Sequence, residues 1–137
     1  MNGQNLIGNE YAEVKTSAFQ AINPLTGETL DGDFFPAQRN DVDEALNYAA
    51  KAFTVYKNID KDCKASFLRA IANEILALGD ALIERACAES GLPVGRITGE
   101  RGRTVGQLNW FADLVAEGSW VEAIIDNALP DRQPAAR

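Results

Sequence analysis

Arginine and glutamate recur at helical spacing in residues 93–118, and they are the side chains of this sequence best suited to chemistry. Arg96, Glu100, Arg103 and Gln107 follow one another three or four positions apart, so they share one face if the segment is helical. A guanidinium that is held in place binds a carboxylate through two parallel hydrogen bonds. Two interpretations fit the pattern: a solvated stripe of ion pairs, or an anion site centred on Arg103.

The residue types that the sequence lacks further restrict the reactions that this chain could catalyse. The 137 residues include no histidine, which excludes from this chain Ser–His and Cys–His nucleophile pairs and imidazole zinc ligands. The two cysteines, Cys63 and Cys87, match neither a metal-ligand spacing nor a Cys-x-x-Cys redox pair. Each is expected to be a small apolar residue of a helix. We therefore expect that this chain does not carry out catalysis on its own.

Composition and charge indicate an ordinary globular domain. Hydrophobic residues make up 46% and charged residues 24%, and the formal net charge is −7. An acidic chain without a basic block argues against a nucleic-acid partner or an anionic membrane surface. The sequence has no apolar run of the roughly 18 residues that a membrane span needs, and Met1–Asn5 do not resemble a signal peptide. These features predict a cytoplasmic protein that binds neither nucleic acid nor membrane.

The N-terminal third predicts short strands. Residues 18–22 alternate largely between apolar and polar side chains, and residues 29–35 can form the returning strand of a hairpin. Between them, Pro24 presets φ and Gly27 can adopt the positive φ that ends a turn. A hairpin by itself is marginally stable in water, so it needs another element to lie on.

From Asn40 onward the apolar spacing becomes helical. Four helices are predicted. The first runs from Asp41 to Tyr56 with Asn40 as its cap, and the second is capped by Asp60 and ended by Gly79. The third runs from Ala81 to Ser90, is capped by Asp80 and is ended by Gly91, and the fourth covers residues 93–117.

The fourth predicted helix carries four glycines on one face, at positions 95, 99, 102 and 106. Each interior glycine costs about 1 kcal/mol relative to alanine. We therefore expect this helix to persist only where another backbone packs against the glycines. The pattern matches neither glycine-rich phosphate-binding motif.

The last segment returns to the spacing of a strand. Residues 119–126 predict a strand with large side chains on both faces, and the tail that follows is rich in proline and alanine. An unpaired strand of this kind exposes a row of backbone donors and acceptors. We therefore expect it to pair with a part of the protein that this sequence does not include.

Several short motifs, in order, resemble the N-terminal region of the aldehyde dehydrogenase superfamily. They are Asn-Pro-Leu-Thr-Gly-Glu at 23–28, Phe-Leu-Arg-Ala-Ile-Ala at 67–72, Ala-Glu-Ser-Gly-Leu-Pro at 88–93, and Gly-Glu-Arg-Gly-Arg-Thr-Val-Gly-Gln-Leu at 99–108. The last of these, with residues 118–120 and 128–132, is most similar to the α-ketoglutaric semialdehyde (2,5-dioxovalerate) dehydrogenase branch and a related fatty-aldehyde dehydrogenase. The resemblance extends from about residue 5 to residue 133.

The resemblance implies an α/β protein of which this chain is the mostly helical N-terminal part. Residues 1–118 would form the first portion of the NAD(P)-binding domain, with a hairpin and four helices. Residues 119–137 would begin the oligomerisation arm, whose strand 119–126 pairs across subunits of a homo-oligomer. The catalytic domain, the nucleophilic cysteine and the residues that bind NAD or NADP would lie beyond residue 137.

The resemblance also favours the second interpretation of the charged face. It implies that the helix 93–117 approaches the aldehyde tunnel and that Arg103 lines it. Arg103 would bind the carboxylate of a short keto-acid aldehyde, Gln107 would donate a nearby hydrogen bond, and Glu100 would orient the guanidinium. The function expected is NAD(P)-dependent oxidation of α-ketoglutaric semialdehyde by an enzyme of which this chain is an inactive segment. A stand-alone, non-catalytic helical interaction module is the alternative.

Overall fold

The computed structural model describes residues 3–123 and residue 131. Helices dominate the described residues, and a small antiparallel sheet precedes them. The elements are β1 (Leu6–Ile7), β2 (Glu10–Tyr11), α1 (Arg39–Tyr56), α2 (Lys61–Ala77), α3 (Gly79–Ser90) and α4 (Val94–Glu117). The prediction of a locally helical chain with a small β component is confirmed.

The β1–β2 pair lies against α1. Its two loop residues, Gly8 and Asn9, both have positive φ (59° and 71°), as a two-residue hairpin loop requires. The ring of Tyr48 on α1 covers Gly8 so closely that a Cβ there would lie 2.8 Å from it. Glycine at this position therefore lets the hairpin rest on the helix.

The predicted hairpin, residues 18–35, is a separate feature from the β1–β2 pair and is present as an antiparallel pairing at isolated positions. Phe19 and Phe34 exchange two backbone hydrogen bonds of 2.9 Å, and Ile22 pairs with Thr29. The Asn23 side chain accepts a hydrogen bond from the Leu25 N–H (2.9 Å) and so stabilises the turn. Continuous strands do not form, because Gly32 takes φ 95° and interrupts the returning segment.

Two predicted helix starts are wrong by one or two residues. Gln38, and not Asn40, precedes α1, and its N–H donates to the Asp41 carboxylate at 2.8 Å. Gly79 begins α3, whereas the sequence predicted that Asp80 caps a third helix starting at Ala81. The prediction that Gly79 stops the second helix is confirmed, because α2 ends at Ala77 and Gly79 follows its cap in the left-handed conformation, with φ 59°.

Other helix ends are confirmed. The Asp60 carboxylate accepts a hydrogen bond from the Asp62 N–H (2.7 Å) at the start of α2. Gly91 ends α3 in the left-handed conformation at φ 70°, and Gly118 ends α4 at φ 91°.

The core lies between α2 and α4, which pack antiparallel. Ala65 and Ala72 of α2 and Ala112 of α4 are fully buried, and Ile83 of α3 is nearly so. Alanine side chains at the contact let the two helices approach closely. Lys61 Nζ donates to the Ala116 oxygen (2.7 Å) and so fastens the end of α4 to the start of α2.

Many large apolar side chains of the predicted helices are exposed to solvent. Val42, Leu46 and Phe53 on α1 keep the helical spacing that the sequence indicated, but half or more of each side chain is exposed. Phe67 on α2 and Leu78, which follows α2, are also exposed. The described residues therefore do not cover these faces.

The strand predicted over 119–126 is wrong for its first residues. Ser119–Val121 form a single 3-10 turn, and Glu122 follows with φ 51°. The Glu117 carboxylate accepts a hydrogen bond from the Ser119 N–H (2.9 Å), so the chain turns directly after Gly118. Residues 124–126 lie outside the described residues.

Candidate functional site

The charged face predicted on the fourth helix lies on a continuous helix of 24 residues. The packing of α2 against α4 holds this helix in place. The four glycines of the stripe lie inside it, and a Cβ added at any of them would meet no atom within 4 Å among the described residues. The helix is therefore confirmed, whereas a backbone packed against its glycines is not seen within residues 3–123.

Glu100 binds two arginines of the same helix at once. Its Oε1 lies 2.7 Å from Arg96 Nη2, and its Oε2 accepts hydrogen bonds from Arg103 Nη2 (2.6 Å) and Nε (2.9 Å). The Glu100 side chain is 33% exposed and each arginine is 64% exposed. The structure therefore brings Arg96, Glu100 and Arg103 together through i, i+4 and i, i+3 ion pairs, as the interpretation as a solvated stripe predicts, whereas the anion site centred on Arg103 stays a prediction.

The charge of this cluster follows from the pKa of Glu100. The hydrogen bond from Arg103 and then its positive charge lower that pKa, desolvation opposes them, and the charge of Arg96 lowers the pKa by the smallest amount. Glu100 is consequently ionised at neutral pH. Two guanidinium groups and one carboxylate leave the cluster with an excess of one positive charge.

The geometry leaves one side of the Arg103 guanidinium available. Arg103 uses Nε and one Nη2 hydrogen on Glu100, so Nη1 and the second Nη2 hydrogen form a pair of parallel donors that no described residue occupies. Such a pair matches the two oxygens of a carboxylate. Gln107, the third predicted site residue, is exposed one turn further along the helix.

Two other arginines have structural roles that the sequence did not indicate. Arg101 Nη1 donates to the Gly79 oxygen (2.8 Å) and ties α4 to the start of α3. Arg85 on α3 bonds to Asp31, 54 positions earlier in the chain. The spacing of Arg85 and Glu89 indicates their ion pair, but no local pattern indicates the contact with Asp31.

The described residues offer no second obvious reactive centre. Cys63 is exposed and Cys87 half-buried, and both are free thiols. Groups of three or more potential metal ligands do not occur within the described part of the chain. Nor does any helix found there have the length and apolar character needed to cross a bilayer.

Comparison with known proteins gives consistent matches along the whole chain. The model of the aldehyde dehydrogenase family matches residues 11–134. Alpha-ketoglutaric semialdehyde dehydrogenase 2 of Azospirillum brasilense is 48% identical over 138 residues, which cover 100% of this chain and 26% of that protein. The alpha-ketoglutaric semialdehyde dehydrogenase of Acinetobacter baylyi is 37% identical over 99% of this chain and 26% of its own length. The chain thus spans about a quarter of the length of these relatives.

Solved structures give the same pattern. A succinate-semialdehyde dehydrogenase from Burkholderia pseudomallei matches with a TM-score of 0.75 at 25% identity, over 95% of this chain and 26% of that one. An NAD-dependent benzaldehyde dehydrogenase from Corynebacterium glutamicum matches with a TM-score of 0.74 at 19% identity, over 96% and 28%. The second match, at this identity, establishes similarity of fold alone.

Proposed function

Because the chain belongs to the aldehyde dehydrogenase family, we propose that it is the N-terminal segment of an NAD(P)-dependent enzyme that oxidises α-ketoglutaric semialdehyde to 2-oxoglutarate. Two relatives that match the whole chain carry the name of that activity. The observation that carries the choice of substrate is the free donor edge of Arg103, fixed by Glu100 on an exposed helix face.

In the proposed complex, Arg103 binds the carboxylate at the far end of the aldehyde. Glu100 holds the guanidinium from its other side, so the arginine loses little side-chain freedom when substrate arrives. Gln107 donates a hydrogen bond nearby. These contacts fix the substrate at its anionic end and leave its aldehyde carbon free to meet a nucleophile from another part of the enzyme.

The chemical step belongs to residues outside this chain. We propose that a cysteine thiolate attacks the aldehyde and that water later releases the acid from a thioester. NAD(P) would accept the hydride. The glycines of α4 lie within a continuous helix and so do not form a phosphate-binding turn after a strand, which supports the proposal that residues beyond position 137 bind most of NAD(P). The 137-residue chain is therefore expected to be inactive by itself.

The test is Arg103→Met in the complete enzyme. Loss of a charge-assisted hydrogen-bonded pair should raise KM for α-ketoglutaric semialdehyde about 10- to 100-fold. A neutral aldehyde of similar length should be affected little. Arg96→Met, on the same helix and equally exposed, is the matched control and should leave both substrates nearly unchanged. Equal losses for the charged and the neutral aldehyde would contradict the assignment.

The assembly proposal is separate. We propose that residues 119–137 begin an arm through which the enzyme forms a homo-oligomer.

A non-catalytic interaction module is the second candidate function, and the exposed apolar side chains of α1 favour it. The coding sequence after Arg137 separates the two: an in-frame continuation into a nucleotide-binding strand supports the enzyme, and a stop codon supports the module.

A further inference from the structure

Glu100 covers one of the two donor edges of Arg103. A guanidinium presents two pairs of parallel N–H donors, Nε with Nη2 on one edge and Nη1 with Nη2 on the other. Here Nε and Nη2 both donate to Glu100 Oε2, at 2.9 Å and 2.6 Å. The second edge, which Nη1 shares with the other Nη2 hydrogen, is occupied by no described residue.

Both oxygens of the Glu100 carboxylate are bound. Oε2 accepts from Arg103, and Oε1 lies 2.7 Å from Nη2 of Arg96, one helical turn earlier. The carboxylate cannot swing away from the Nε edge without breaking charge-assisted hydrogen bonds. A second carboxylate that approaches Arg103 therefore meets only the Nη1 edge.

The two edges of Arg103 would place a bound substrate differently. A guanidinium is planar and rigid, and its edges face directions roughly 120° apart, so carboxylates at the two edges lie several ångströms from each other. That displacement also moves the aldehyde carbon at the far end of the substrate. Because a misplacement of about 1 Å can lower a rate about 100-fold, the edge that is used determines which chain length reaches the nucleophile.

We propose that Glu100 sets the length of the ω-oxo acid that the enzyme oxidises, because it restricts the substrate carboxylate to the Nη1 edge of Arg103. In the proposed function, on which this inference rests, Arg103 binds that carboxylate. Glu100 is then a positioning residue, since it contacts Arg103 and not the substrate. It selects the distance between carboxylate and aldehyde carbon that α-ketoglutaric semialdehyde has, and it excludes the binding position that would suit another length.

Rates on unsubstituted ω-oxo acids of four, five and six carbons test this selection in the complete enzyme. These acids differ in length alone, and the five-carbon acid matches α-ketoglutaric semialdehyde. The unaltered enzyme should prefer the five-carbon acid in kcat/KM by about tenfold or more over each of the others. Glu100→Ala opens the Nε edge and so permits a second binding position, and the preference should fall to about threefold or less.

Two further variants separate edge selection from general damage to α4. In Glu100→Gln the amide oxygen still accepts from Arg103 and fills the same edge, so most of the length preference should be retained. Asp113→Ala is the matched control, because it removes an exposed ion pair of the same helix, with Arg69 at 2.6 Å, and should leave the preference unchanged. General damage would lower all three rates together, whereas loss of edge selection changes their ratio.

Arg103→Lys decides the question if Glu100→Ala prevents folding. An ammonium group is a point charge without donor edges, so the length preference should fall to about threefold or less even though Glu100 is present.

Four results would overturn the role of Glu100: no length preference in the unaltered enzyme, a preference that Glu100→Ala leaves intact, one that Arg103→Lys leaves intact, or an equal fall with Asp113→Ala. An enzyme that oxidises α-ketoglutaric semialdehyde and gives any of these contradicts only this role. An enzyme that oxidises no ω-oxo acid contradicts the proposed function, and the role of Glu100 falls with it.

Discussion

At the scale of single residues, Glu100 determines what Arg103 can do. The carboxylate occupies one edge of the Arg103 guanidinium and also holds Arg96, so the three charges lie in one fixed arrangement. An arginine paired in this way is oriented before any ligand binds. The same pairing means that an incoming carboxylate must use the remaining edge, because the first is already occupied.

The pKa of Glu100 should respond to Arg103 more than to Arg96. Because the folded protein lowers this pKa, ionised Glu100 favours the folded state above the usual glutamate range, and that contribution is lost as the pH falls through the folded pKa. Arg103→Met should move the pKa upward toward its usual range, and Arg96→Met should move it less. Carboxyl-carbon NMR titration of Glu100 measures both, and equal shifts in the two variants would contradict the order of causes.

At the scale of elements, the end of α3 joins the helical part of the chain to the hairpin. Gly91 ends the helix with φ 70°, and a Cβ there would lie 3.1 Å from Pro24 Cγ and 3.3 Å from Leu25 Cγ. Gly79, at the other end of the same helix, also has positive φ, but a Cβ there would meet nothing within 4 Å among the described residues. The two glycines thus share a left-handed backbone conformation, but only Gly91 lacks room for a Cβ atom.

This difference predicts unequal effects of one substitution. Gly79→Ala should cost about 1–2 kcal/mol, the strain of a left-handed alanine. Gly91→Ala should cost more, because the new methyl group also pushes against the hairpin turn. Urea denaturation of both variants measures the difference in the free energy of unfolding. Equal losses would show that the turn moves aside without cost.

At the scale of the whole molecule, close packing is confined to a small region. Among the residues that the structure describes, alanines supply three of the four buried core residues, while large apolar side chains on α1 and elsewhere stay exposed. Exposed apolar area of this extent is a feature of surfaces that contact other proteins or other parts of the same protein. We therefore expect the 137-residue chain to self-associate through the apolar face of α1 when no partner covers that face.

Self-association of the 137-residue chain tests this expectation. Leu46 is 63% exposed on the apolar face of α1, and its neighbour Asn47 is exposed beside it. Leu46→Asp should weaken association about tenfold or more, since burial of a leucine side chain contributes roughly 1.5–3 kcal/mol. Asn47→Asp adds the same charge and should have little effect. Sedimentation velocity over a concentration series measures both, and a monomer at every concentration would contradict the prediction.

The sequence by itself determined the features that depend on neighbours along the chain. The four helices, the turn after Asn23 and the contact between Glu100 and Arg103 follow from helical periodicity, turn chemistry and i, i+3 spacing, which are local. The family resemblance also rests on local motifs, and the family match confirms it.

Only the tertiary structure decided which distant residues meet. Three contacts join residues far apart in the chain, so no local sequence pattern predicts them. They are the contacts of Arg85 with Asp31, of Lys61 with Ala116 and of Arg101 with Gly79. The turn at Ser119–Val121 likewise replaced the start of a predicted strand, because the geometry at Gly118 and the Glu117 carboxylate outweighed the alternation of side chains. Side-chain patterns set which elements can form, whereas the packing of one element on another sets where each ends and which polar atoms are left for a partner.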